Sequence, residues 1–107
     1  MLHVLNPVMN NTKWNELRLG MYGLAQTPAW STLSTNGYKS RPDREWYYHF
    51  SIGGYADIIH VDILVENAAH RETVRRVLQH IHVPGEETPE GFRVFGYLQD
   101  GQAADYL

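Results

Sequence analysis

Acids, histidines and tyrosines cluster in the middle of this chain, interleaved with large apolar rings. Glu45, Tyr47 and His49 alternate with Trp46, Tyr48 and Phe50, and His60 and Asp62 follow beyond a Gly53-Gly54 pair. Alternation of this kind sends successive side chains to opposite faces of a strand. Gly-Gly is a competent two-residue turn, so the segment reads as a hairpin. Its register would set Trp46, Tyr48 and Phe50 opposite Val61, Ile59 and Asp57, with Ile63 continuing the apolar face. The other face would carry Glu45, Tyr47 and His49 opposite Asp62, His60 and Ile58. A slip of one residue would mix the two faces. Glu45 and Asp62 would then be cross-strand neighbours, about 5 Å apart at Cβ, where like charges repel. Three arrangements relieve that repulsion: an internal cation from Arg44, Lys39 or Arg41, a docking patch for a basic partner, or a catalytic or metal-binding pair.

Other chemistries find less support. The chain has six histidines, but His80 and His82 point in different directions on a helix. His49 and His60 would sit diagonally across the hairpin, and a zinc site needs three or four convergent ligands. Serines 31, 34, 40 and 51 lack a nucleophile elbow. Gly53-Gly54 joins two expected strands, whereas a phosphate cradle opens a helix. No catalytic residue, metal ligand or cofactor is assigned. A second acidic group, Glu86, Glu87 and Glu90, lies in a polar stretch that could reach into a partner's cleft.

The elements that would position these groups follow from apolar spacing. Trp14, Leu17, Met21 and Leu24 predict a helix from Thr12 to about Leu24, capped by Asn11 or Thr12 and stopped before Pro28. Trp30–Thr35 reads as a short strand ended by an Asn36-Gly37 turn. Asn67 can cap a helix running to about His82, with Val74, Val77, Leu78 and Ile81 buried and Arg71, Arg75, Arg76 and Gln79 facing water. Phe92–Leu98 reads as a last strand. The order α-β-β-β-α-β implies an α+β fold, an antiparallel sheet of about four strands with two helices packed on one face. Residues 1–10 read as an N-terminal tail, 11–98 as one globular domain and 99–107 as a C-terminal tail. Met9 is a candidate translation start. The expected core is led by Trp14, Trp46, Tyr48 and Phe50, with Tyr38, Tyr47, Tyr55 and Tyr97 outside it.

Composition sets the outer bounds. The 107 residues are 43% hydrophobic and 20% charged, ordinary values for one folded domain. A net charge of −3 without a basic stripe argues against nucleic-acid binding. There are no cysteines, which excludes disulfides and thiolate metal sites. No apolar run approaches the roughly 20 residues of a membrane span, and no signal peptide is visible. These features point to a cytoplasmic protein. Exposed tyrosines beside acids have the composition of a protein-binding surface.

Several segments together resemble a family of small uncharacterised bacterial proteins, a domain of unknown function. They are Asn10–Trp14, Trp30, Asn36-Gly37-Tyr38, Glu45–Phe50, Gly53-Gly54-Tyr55, His82–Gly85 and Gly96-Tyr97, covering roughly residues 9–98. Members of such families are often encoded beside polymorphic toxins, including Rhs effectors of type VI secretion, and act as immunity proteins. The resemblance therefore implies an antitoxin-like inhibitor that occludes the active site of a cognate toxin, an ADP-ribosyltransferase or a nuclease. It supplies no catalytic residues. The expected interface is Glu45, Tyr47, His49, His60 and Asp62, with Glu86, Glu87 and Glu90 as a second patch. The competing readings are a small metal- or ligand-binding enzyme on the same hairpin face and a regulatory domain with an aromatic pocket.

Overall fold

The computed structural model describes residues 4–107, so the first three residues of the expected N-terminal tail lie outside the described residues. In chain order the elements are β1 (Leu5–Pro7), α1 (Asn11–Tyr22), β2 (Ala29–Ser34), β3 (Ile58–Leu64), α2 (Ala68–Ile81), β4 (Gly85–Thr88), β5 (Gly91–Phe95) and β6 (Tyr97–Gln99). A four-stranded antiparallel sheet runs in the order β2-β3-β5-β4, and β1 and β6 form a separate antiparallel pair. The fold is α+β.

Both helices form where the apolar spacing places them. The Asn10 side chain accepts the Lys13 amide at 2.8 Å and so caps α1, one residue before the expected cap. Trp14, Leu17 and Met21 are its buried face. Asn67 caps α2 through the His70 amide, and Val74, Leu78 and Ile81 are buried. The helices pack closely because Gly20 has no side chain. A Cβ there would come within 2.8 Å of Val77 Cγ1. At the far end of α2, His82 adopts φ 66°, and the Lys13 ammonium caps the Ile81 carbonyl.

The sheet sorts its residues by the pleat. Trp30 faces the core with Ile63, Val61, Phe92 and Val94, all buried. Ser31, Asp62 and Arg93 align across the strands on the opposite face, as do Leu33, His60 and Phe95.

The largest departure from expectation is residues 45–52, which form no strand. They make a series of tight turns, with Ser51 and Ile52 amides donating to the Tyr48 carbonyl and Gly54 to Ser51. The physical cause is partly local and partly tertiary. The Glu45 carboxylate accepts the backbone N–H of Tyr48 at 2.8 Å and of His49 at 2.6 Å, a helix-like cap that removes those amides from any ladder. Trp46 and Phe50, four residues apart, both turn inward, and the Trp46 indole donates to the Pro28 carbonyl at 2.8 Å. Period-2 packing would have buried Tyr48 with them, yet Tyr48 is 65% exposed. Tyr55 makes the reverse exception. It is buried beside Trp14 and its hydroxyl donates to Asn15.

The partner of β3 is therefore β2, joined to it by the long 35–57 connection. That connection begins at the expected Asn36-Gly37 turn, where Gly37 has φ 85°, and residues Lys39–Asp43 then run back along β2 through isolated bridges. The polar stretch around Glu86 supplies β4. Leu5–Pro7, expected in the tail, pairs with β6.

Candidate functional site

Without the hairpin, the expected polar face separates into two places: Glu45, Tyr47 and His49 sit on the turn segment, and His60 and Asp62 on the outer face of β3. The expected second patch, Glu86, Glu87 and Glu90, lies on the β4–β5 hairpin. Glu45 and Asp62 are not neighbours: Asp62 stands opposite Ser31 and Arg93.

On the turn segment, Glu45 is spent on its own backbone. The His49 amide is the largest influence holding its carboxyl below the usual range, with the Tyr48 amide adding to it. His49 lies exposed with Nδ1 2.8 Å from the Asp43 carboxylate, and that contact raises its proton affinity. Tyr47 projects outward. Its ring centroid is 5.1 Å from that of Tyr22 on α1, and the Arg18 guanidinium lies 5.0 Å from the Tyr47 ring while donating to the Tyr47 carbonyl. Leu19, Tyr22, Tyr47, Tyr48 and Ile52, on α1 and this segment, are each about half exposed or more. The Arg18 guanidinium thus lies over the Tyr47 ring and is bonded to its backbone carbonyl, while the Tyr22 ring packs against Tyr47 from α1.

On the outer sheet face, Asp62 is the hub of an ionic cluster. Arg93 Nε donates to it at 2.7 Å and Lys39 Nζ at 2.5 Å. Burial pulls the Asp62 carboxyl upward, but the Arg93 and Lys39 hydrogen bonds together outweigh it and hold the group below its ordinary value. His60 Nε2 lies 3.9 Å from the same carboxylate, and its ring meets Phe95 edge-on. Burial, reinforced by the positive charge of Arg93, pushes His60 down to about 4, so it is neutral at pH 7. The expected Glu45–Asp62 pair, which an internal cation from Arg44, Lys39 or Arg41 would relieve, does not form; Lys39 pairs with Asp62 alone and Arg44 with Glu66. Arg93 lies outside the residues expected from the sequence, although the alternation Phe92-Arg93-Val94 sends it to the face opposite two core residues.

On the second patch, Glu87 points to the helix side and bonds Arg71 and Arg75, each at 2.9 Å. Those arginines lie over the Phe92 ring. Glu86 points to the outer face, where a cleft of about 510 Å³ opens between β4–β5 and residues 102–107. Among the described residues, no group of three or more His, Asp or Glu side chains could hold a metal ion, and no helix is long and apolar enough to cross a membrane.

The model of a family of unknown function, DUF6678, matches residues 2–101. No curated protein and no solved structure matches the chain.

Proposed function

The chain belongs to this family of unknown function, and from that premise we propose that it is a protein-binding domain whose partner docks on the Arg18–Tyr22–Tyr47 surface. The observation that carries this reading is the pair of exposed, mutually packed tyrosines, with Arg18 lying over the Tyr47 ring. Interfaces favour tyrosine and arginine because rigid rings bury much area while losing little conformational freedom. Leu19 on α1 and Tyr48 and Ile52 on the turn segment are exposed large hydrophobics on the same two elements, the composition of a docking surface.

For the partner we keep the expectation drawn from resemblance: a toxin domain that this protein neutralises in the cytoplasm by covering its active site. A net charge of −3 suits a basic, nucleotide- or nucleic-acid-binding cleft. The acids that met such a cleft would not include Glu45, Asp62 or Glu87, which are engaged within the fold.

The test is a pull-down of tagged protein from its own cells, alongside a Tyr22→Ala/Tyr47→Ala double variant shown to be folded. Capture of a toxin domain at one-to-one stoichiometry, with its activity suppressed by the wild type and not by the variant, supports the reading. A toxin partner bound equally by both proteins moves the interface off this surface. If no toxin domain is ever captured, the immunity reading is wrong.

A further inference from the structure

The four-stranded sheet has two edges, and they are finished differently. The β2 edge is covered by the returning segment, through bridges of Leu33 with Lys39 and Trp30 with Asp43 and through the Ser40 amide on Thr32. The β4 edge is only half occupied. Antiparallel ladders alternate residues whose amides face the partner with residues whose amides face away. The Phe95 amide donates to the Pro84 carbonyl at 2.9 Å. Counting from that bond, Glu86 and Thr88 turn their backbone groups towards β5, and Gly85 and Glu87 turn theirs to the free edge.

Residues 102–107 use the first part of that edge. The Gly85 amide donates to the Asp105 carbonyl and the Leu107 amide to the Val83 carbonyl, both at 2.9 Å, with Tyr106 bridging Pro84. The rudimentary fifth strand stops there. Among the described residues the Glu87 amide has no partner beyond the edge, and the strap stands off the sheet to leave the 510 Å³ cleft. A sheet edge with unsatisfied backbone groups is a template for another strand.

Charge selects what that strand should be. On the sheet side of the cleft, which remains when the strap leaves, Glu86 lines the wall, and among the described residues it takes part in no ion pair. The arginine in the lining, Arg93, is already bound to Asp62. A strand added here would place alternate side chains on the outer, acidic side.

We propose that the β4 edge, Val83–Thr88, receives an extended basic segment of a partner protein by antiparallel strand addition, and that the strap Gln102–Leu107 is the resident competitor it displaces. The site lies at the opposite edge of the sheet from the strand whose Trp30 packs against the aromatic turn segment, and it does not depend on the tyrosine surface.

The probe is a fluorescein-labelled nonapeptide of alternating Lys and Val, with a Glu–Val peptide as control, titrated by anisotropy at low salt. The full-length protein is compared with Leu107→Pro, which deletes the amide that holds the strap to Val83, and with Glu86→Lys. We expect the Lys–Val peptide alone to bind, about 5-fold tighter to Leu107→Pro and about 5-fold weaker to Glu86→Lys, each the effect of about one hydrogen bond or surface charge contact. Amide exchange should slow at Glu87 in the complex. Absence of Lys–Val binding to both the wild type and a folded Leu107→Pro protein overturns the proposal. So does equal affinity for the two peptides, or binding that leaves the Glu87 amide unprotected.

Discussion

Replacing Phe50 and Tyr48 in turn separates the turn segment from the hairpin that its alternation imitates. In a strand from Glu45 to Ile52 the two rings would share a face and their removal would cost similar amounts. In the structure Phe50 is 3% exposed and its ring lies 4.8 Å from Trp46, 5.1 Å from Trp30, 5.9 Å from Tyr55 and 6.0 Å from Trp14, centroid to centroid. Phe50→Ala therefore empties the centre of an aromatic cluster that ties α1, β2 and the turn segment together. Buried Phe→Ala changes cost about 3–5 kcal/mol, and the dense ring contacts leave little room for collapse, so about 4 kcal/mol is expected here. Against a total stability of about 5–15 kcal/mol for a domain of this kind, that loss should lower Tm by roughly 15–20 °C. Tyr48 contributes its backbone amide to the Glu45 cap and keeps its ring in water. Tyr48→Ala should then change stability by under about 0.5 kcal/mol. Urea and thermal unfolding followed by far-ultraviolet circular dichroism measure both. Comparable destabilisation by the two substitutions would refute the turn-segment geometry and restore the hairpin.

Two more outcomes follow from the sheet. His60 is held neutral with a proton affinity near 4, while in the unfolded chain it takes a proton near the ordinary 6.5. The unfolded state binds more protons between these values, so stability is full above pH 6.5 and falls as pH drops towards 4. With side-chain exposure of 12% and the screening of nearby solvent allowed for, the loss is roughly 2 kcal/mol. In His60→Gln the fall in Tm between pH 7 and pH 4.5 should be visibly shallower than in the wild type, and an unchanged slope would remove His60 from the account. Gly96→Ala addresses the close approach of the β5–β6 junction to β3. A Cβ at Gly96 would collide with the Ile58 carbonyl oxygen and lie 2.9 Å from the Trp14 ring, a backbone clash worth about 3 kcal/mol. Urea titration should show the midpoint falling accordingly, and a neutral result would contradict the packing of Trp14 against this junction.

What the sequence determined by itself is the part governed by local rules. Both helices, the Asn67 cap, the strand expected at Trp30–Thr35 and found at Ala29–Ser34, the Asn36-Gly37 turn and the α+β class are legible because apolar spacing, capping side chains and turn glycines act over a few residues. Of the expected stripe Val74, Val77, Leu78 and Ile81, three are buried and Val77 is partly buried against the core, legible for the same reason. The tertiary structure decided the rest. Residues 45–52 have strand-like composition and alternation, yet Glu45 captures two amides and Trp46 docks on the Pro28 carbonyl, a contact between distant segments that no local pattern encodes. Once that segment leaves the sheet, β3 pairs with β2, and Asp62 meets Arg93 and Lys39 instead of Glu45. The two acids grouped by the hairpin register thus became a capping group and an ionic hub. The same change set Tyr47 against Tyr22 and Arg18, because a turn projects its side chains by the path of the backbone, and packing against α1 and β2 fixes that path.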